Sequence, residues 1–140
     1  AFLEDPGLSV VAPAQLLNRE IEVHAMHDPT EGGLATGLRE IASASDHGMR
    51  VFEDRLLIDP LTRRICDCLG YAPFGLLSSG CLLCTCPEED AEHALQALEK
   101  KGYAAAAVGT VTDDTACTLR RPDGNERNLP RFAVDELARA

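Results

Sequence analysis

Apolar positions recur at two different spacings along this chain, and the switches between them outline its elements. Over 11–19, VAPAQLLNR, a proline in the first turn and inward Leu16 and Leu17 predict a short helix. Ile21, Val23 and Ala25 then alternate with Glu22, His24 and Met26, the period of a strand that ends at His27-Asp28. After breaks at Pro29 and Gly32-Gly33, Leu34, Leu38, Ile41 and Ala42 return at helical spacing as far as Ser45, with Gly48 expected to end that helix in a left-handed turn. Residues 49–53 predict a second short strand, and Pro60 to Leu69 a helix closed by Gly70.

From Gly75 to Cys86 the sequence GLLSSGCLLCTC is apolar almost throughout, broken at Ser78-Ser79-Gly80. That pattern predicts a strand buried on both faces in the middle of a sheet. Pro87 followed by Glu88, Glu89 and Asp90 starts a helix, because carboxylates favour the positive end of the helix dipole. Ala91, Leu95 and Leu98 supply its expected buried stripe up to Lys100-Lys101-Gly102. Residues 103–112 and 116–120 predict two more strands, 121–130 an exposed turn and loop, and 133–140 a terminal helix. Strands and helices alternating between Gly and Pro breaks predict one domain over 1–140, an α+β, layered fold with helices packed on a mixed β-sheet.

A chain of 140 residues buries enough surface to fold without a disulfide or a structural metal. The formal net charge of −10 repels phosphate backbones and anionic lipid, so neither nucleic acid nor membrane is an expected partner. No apolar run approaches the roughly 18–20 residues that cross a bilayer. The start, AFLEDPGLSV, has neither a basic n-region nor an apolar h-region, so a cytoplasmic protein is expected, read here as beginning partway through a longer polypeptide. Cys66, Cys68, Cys81, Cys84, Cys86 and Cys117 lie in stretches patterned as helix or strand and read as reduced thiols. Cys81, Cys84 and Cys86 have half the spacing of a metal site. Strand alternation nonetheless sends Cys81 to the face opposite Cys84 and Cys86, and no second CxxC follows, so no metal is expected there. His24 and His27 point to opposite strand faces for the same reason.

The most informative stretch is His27-Asp28-Pro29-Thr30-Glu31-Gly32-Gly33-Leu34, at a strand-to-helix junction where backbone N–H groups and the helix dipole favour an anion. Asp28 or Thr30 is the expected helix cap, Pro29 stiffens the entry, and the paired glycines let a ligand or another backbone approach. Asp28 is alternatively a ligand for a cation that accompanies phosphate. His27 is either a hydrogen-bonding group of a cleft or a polar strand end. Ser78 and Ser79 are either cleft-lining hydroxyls or part of a buried bend.

Read at full length, AMHDPTEGGLATGLREIA resembles the opening of the C-terminal domain in the AIR synthase (PurM)-related superfamily, and most closely its hydrogenase-maturation branch, HypE. The likeness continues through the Gly48–Glu53 strand, the helix before Leu69-Gly70, the apolar stretch after Gly75, the helix after Pro87 and the Ala107-Val108-Gly109 break. The resemblance implies an N-terminal domain, outside this chain, that binds ATP and Mg²⁺ and makes the homodimer. The C-terminal domain would close the cleft against it, with Asp28, Thr30, Gly32 and Gly33 matching the family motif and His27, Ser78 and Ser79 beside them. It also implies a maturation-protein partner and a shared chemistry, the phosphorylation of a carbonyl or amide oxygen followed by loss of phosphate.

Two departures bear on the HypE reaction, which by resemblance is dehydration of a carbamoylated C-terminal cysteine to a thiocyanate. This chain ends Asp135-Glu136-Leu137-Ala138-Arg139-Ala140, without that cysteine. It also reads Ser78-Ser79-Gly80 where HypE reads Asn-Glu-Gly, and a serine hydroxyl is no substitute for a carboxylate base near neutral pH. Dehydration of its own tail is therefore not expected. The alternative expectation is a non-catalytic ligand-binding or association module that keeps the fold.

Overall fold

A computed structural model describes residues 7–139. In chain order the elements are α1 (Val11–Glu20), β1 (Ala25–His27), α2 (Gly33–Ser45), β2 (Gly48–Phe52), α3 (Pro60–Leu69), β3 (Leu83–Thr85), α4 (Ala91–Glu99), β4 (Gly109–Thr112), β5 (Cys117–Arg120) and β6 (Glu126–Asn128). Four strands form a mixed sheet in the order β4-β2-β5-β6, with β2 antiparallel to β4 and parallel to β5, and β5 antiparallel to β6. β1 and β3 pair separately and antiparallel, Ala25 opposite Thr85 and His27 opposite Leu83. The α+β reading of the sequence holds.

The core lies between α2 and the larger sheet. Ala35, Leu38, Ile41 and Ala42 recur on one face of α2 and bury against Met49, Val51, Cys117 and Leu119. Leu119 and Val51 are 0% and 1% exposed, because alternate residues of central strands face the helix. Phe74, Leu83 and Leu129 close the edges of this cluster. Proline and glycine fix the ends of α3: Pro60 opens it, the Asp59 carboxylate accepts the N–H groups of Leu61 and Thr62, and Gly70 ends it at φ +70°.

Seven expectations need correction. β1 is confined to Ala25–His27, with His24 contributing a single bond from its N–H to the Thr85 carbonyl at 2.9 Å. α2 ends in a left-handed Asp46 at φ +56°, and not at Gly48, whose bare Cα instead opens β2 against Ala116; a Cβ there would lie 2.5 Å from the Ala116 oxygen. The 75–86 stretch is no central strand. Gly75 sits in a tight 3₁₀ turn beneath the Phe132 ring, Ser78 to Cys81 turn again, and only Leu83–Thr85 pairs, in the two-stranded sheet.

α4 buries the small Ala94 and Ala97 where it lies along α1, and leaves Leu95 and Leu98 half-buried. Of 103–112 only Gly109–Thr112 is strand, and β6 emerges within the expected 121–130 loop as an edge strand whose side chains are all exposed. The C-terminus makes a single 3₁₀ turn, Glu136–Arg139, in place of a longer helix.

Candidate functional site

The 27–34 segment folds as a corner between β1 and α2. Pro29 is fully buried and lies against Gly37 of α2. The Thr30 carbonyl then accepts two N–H groups, from Gly33 at 3.1 Å and from Ser78 at 3.2 Å, which ties the corner to the 76–79 bend. Gly32 and Gly33 both take left-handed conformations, φ +75° and +67°. A Cβ on Gly33 would lie 2.5 Å from the carbonyl oxygens of Phe74 and Leu76, so this glycine admits a neighbouring backbone. That is one of the two approaches anticipated for the glycine pair.

The start of α2 is capped differently from expectation. Neither Asp28 nor Thr30 caps it: Gly32 is the N-cap, without a side-chain cap bond of its own. Its N–H instead donates to Asp135 Oδ2 at 2.9 Å, so a carboxylate from the far end of the chain lies at the positive end of the helix. Thr30, Gly32, Gly33 and Ser78 are thereby brought together. The side chains of Asp28, Thr30 and Ser79 are exposed around them. His27 turns onto α2, its Nε2 2.6 Å from Glu40 Oε2. The Ser78 hydroxyl donates back to the Leu76 carbonyl at 2.9 Å.

Sequence reasoning missed the C-terminal segment that covers this corner. It runs beside α2 in the reverse direction and is stitched down at successive points. Arg39 donates from Nε to the Pro130 carbonyl at 3.3 Å and from Nη2 to the Leu129 carbonyl. Phe132 packs on Gly75, Asp135 meets Gly32, and Glu136 is buried at 1% exposure. Glu136 accepts the Ala72 N–H at 2.8 Å and Arg139 Nη1 at 2.6 and 2.7 Å. The Arg139 guanidinium, and after it the Ala72 amide, hold the Glu136 carboxyl below the usual range, and Glu136 in turn pushes Arg139 up. One sequence signal points to this turn: an acid followed at i+3 by a base, Glu136 and Arg139.

Four of the thiols are poor nucleophiles. Burial, with Cys86 nearby, pushes Cys84 up to about 11, and burial also raises Cys66, Cys81 and Cys86, so these groups stay protonated at neutral pH. All six cysteines are unpaired. Among the described residues no group of three or more His, Cys, Asp or Glu is placed to hold a metal ion, and no helix is long and apolar enough to cross a membrane.

The family model for the AIR synthase related protein, C-terminal domain, matches residues 4–121. Carbamoyl dehydratase HypE of Azotobacter vinelandii is 32% identical over 130 residues, 90% of this chain and 38% of that protein. A crystal structure of the hydrogenase maturation protein HypE in complex with ATP matches at a TM-score of 0.83 and 32% identity, over 91% of this chain and 41% of that one. HypE in a HypE–HypF complex matches at a TM-score of 0.78 and 26% identity, over 84% of this chain and 39% of that one. The chain thus spans about two fifths of the length of these three relatives.

Proposed function

The chain belongs to the family of AIR synthase related C-terminal domains, and on that footing we propose that it forms the substrate-side wall of the cleft in an ATP-dependent, HypE-like protein of NiFe hydrogenase maturation. Its counterpart is an N-terminal ATP-binding domain that also carries the homodimer contact, and a maturation protein is its partner, as HypF is in the HypE–HypF complex. The observation that carries this reading is the likeness to ATP-bound HypE over 91% of the chain.

The corner suits that role. An anionic group already lies at the α2 start, where the Gly32 N–H holds the Asp135 carboxylate, so this position fits part of a phosphate site. ATP, when bound, supplies the phosphoryl group that converts a carbonyl or amide oxygen into a leaving group. The Gly32 N–H and the Thr30 hydroxyl would face the anion. The exposed Asp28 carboxylate would face the Mg²⁺ that accompanies it. His27, Gly33, Ser78 and Ser79 complete the wall, with Gly33 and Ser78 fixing the two loops through Thr30. Ser79 presents a hydroxyl that stays protonated at neutral pH, so the base for any proton transfer lies elsewhere.

A single wall does not make a nucleotide site. Calorimetry of Mg-ATP against the 140-residue chain is expected to give no measurable binding, whereas the chain joined to its N-terminal domain binds. Micromolar affinity for the chain alone would overturn the division of labour proposed here.

A further inference from the structure

The two edges of the four-stranded sheet differ in how they meet solvent. β6 forms one edge with Glu126 and Arg127, charged side chains of the kind that keep an open row of backbone groups from pairing with another chain. β4 forms the other with Gly109–Thr112, and neither it nor the chain leading into it has such protection. From Gly102 to Thr112 the sequence GYAAAAVGTVT holds no charged residue and no proline. Tyr103 to Val108 runs without turn or bend, with Ala104, Ala105 and Ala107 exposed. The Val108 carbonyl accepts the Phe52 N–H at 2.8 Å, but among the described residues the N–H groups of 104–107 make no backbone hydrogen bond. An exposed row of this kind is completed by another extended strand.

We propose that this edge pairs with the same edge of a second copy of the chain, antiparallel about a two-fold axis at Ala107, so that the two four-stranded sheets join. Charge selects that occupant. The uncharged run is preceded by Lys100-Lys101 and followed by Asp113-Asp114, all exposed. Lys101 and Asp113 each lie six residues from Ala107, so antiparallel pairing about that residue sets Lys101 of each copy beside Asp113 of the other. Parallel pairing would set lysine beside lysine and aspartate beside aspartate. The symmetric arrangement makes the lysine–aspartate contact twice, which opposes the repulsion between two chains of net charge −10. This edge is separate from the corner and from the homodimer contact assigned to the N-terminal domain.

The test is sedimentation equilibrium of the 140-residue chain from about 10 μM to 1 mM, the range suited to a small interface, with amide exchange of residues 104–107 followed alongside. The wild-type chain is expected to dimerise as its concentration rises, those amides becoming protected in step. Ala107→Lys puts two ammonium groups together at the axis from an exposed position, and should weaken the dimer about tenfold or more at an unchanged urea midpoint. Lys101→Glu and Asp113→Lys should each weaken it about threefold, and the two combined should restore it, because the pair is then reversed. A wild-type chain that stays monomeric throughout would overturn the proposal, as would a dimer indifferent to Ala107→Lys. Charge swaps whose effects add instead of cancelling would overturn the antiparallel arrangement and the proposal with it. Protection of residues 104–107 only in the protein carrying both domains, and at every concentration, would put the upstream domain on this edge and overturn self-pairing.

Discussion

The two sides of α2 are held by different physics. Along the helix, Ala35, Leu38, Ile41 and Ala42 meet Met49, Val51 and Leu119 in a dry, non-directional core. At its N-terminus polar, directional contacts tie the loops together: the Thr30 carbonyl bridging Gly33 and Ser78, the Gly32 N–H on Asp135, and Glu136 on Ala72. An apolar core tolerates small adjustments of its neighbours. A corner made of left-handed glycines and carbonyls tolerates a new side chain badly. The core fixes where α2 lies; the corner fixes how its start is held.

The largest effect should come from the core. Leu119→Ala removes a side chain with 0% exposure from between α2 and the sheet and should cost about 2–5 kcal/mol in urea unfolding. A loss under about 1 kcal/mol would mean that the sheet does not rely on this contact. In the corner, Gly33→Ala forces an L side chain into φ +67° and toward the Phe74 and Leu76 carbonyls. The backbone strain alone is about 1–3 kcal/mol. The Ser78 amide, which shares the Thr30 carbonyl with Gly33, should lose hydrogen-exchange protection at the same time. Full protection at Ser78 in that variant would show that the two loops are held independently.

Much of this division was legible in the residue pattern, and the parts that were not have identifiable causes. α1, α2 and α3 were readable because each combines an apolar stripe with local punctuation, such as Pro13, Gly32-Gly33, and Pro60 with Gly70. The 75–86 stretch misled because its apolar residues serve three different neighbours: Gly75 lies under Phe132, Leu83 enters the core, and Cys84 pairs opposite Met26. β6 was hidden because an edge strand with exposed side chains has no alternation to read. In the corner, the motif marked Thr30, Gly32 and Gly33 as belonging together. It could not show that Ser78 shares the Thr30 carbonyl, or that the group on Gly32 would come from Asp135, 103 residues away. Long-range polar contacts of this kind leave no periodicity in a sequence.

The smallest structural effect is expected at Asp28, and it carries the most direct test of the proposed role. Asp28 is exposed, and among the described residues it makes no hydrogen bond or ion pair, so Asp28→Ala should change stability by less than about 0.5 kcal/mol. The measurement is ATP turnover by the protein carrying both domains, wild type against Asp28→Ala, each shown to unfold at the same urea concentration. A fall in turnover of tenfold or more at unchanged stability is the result expected of a carboxylate that faces the nucleotide's cation, a difference of roughly 1.4 kcal/mol in the barrier. Unchanged turnover would contradict the account and leave the corner as packing alone.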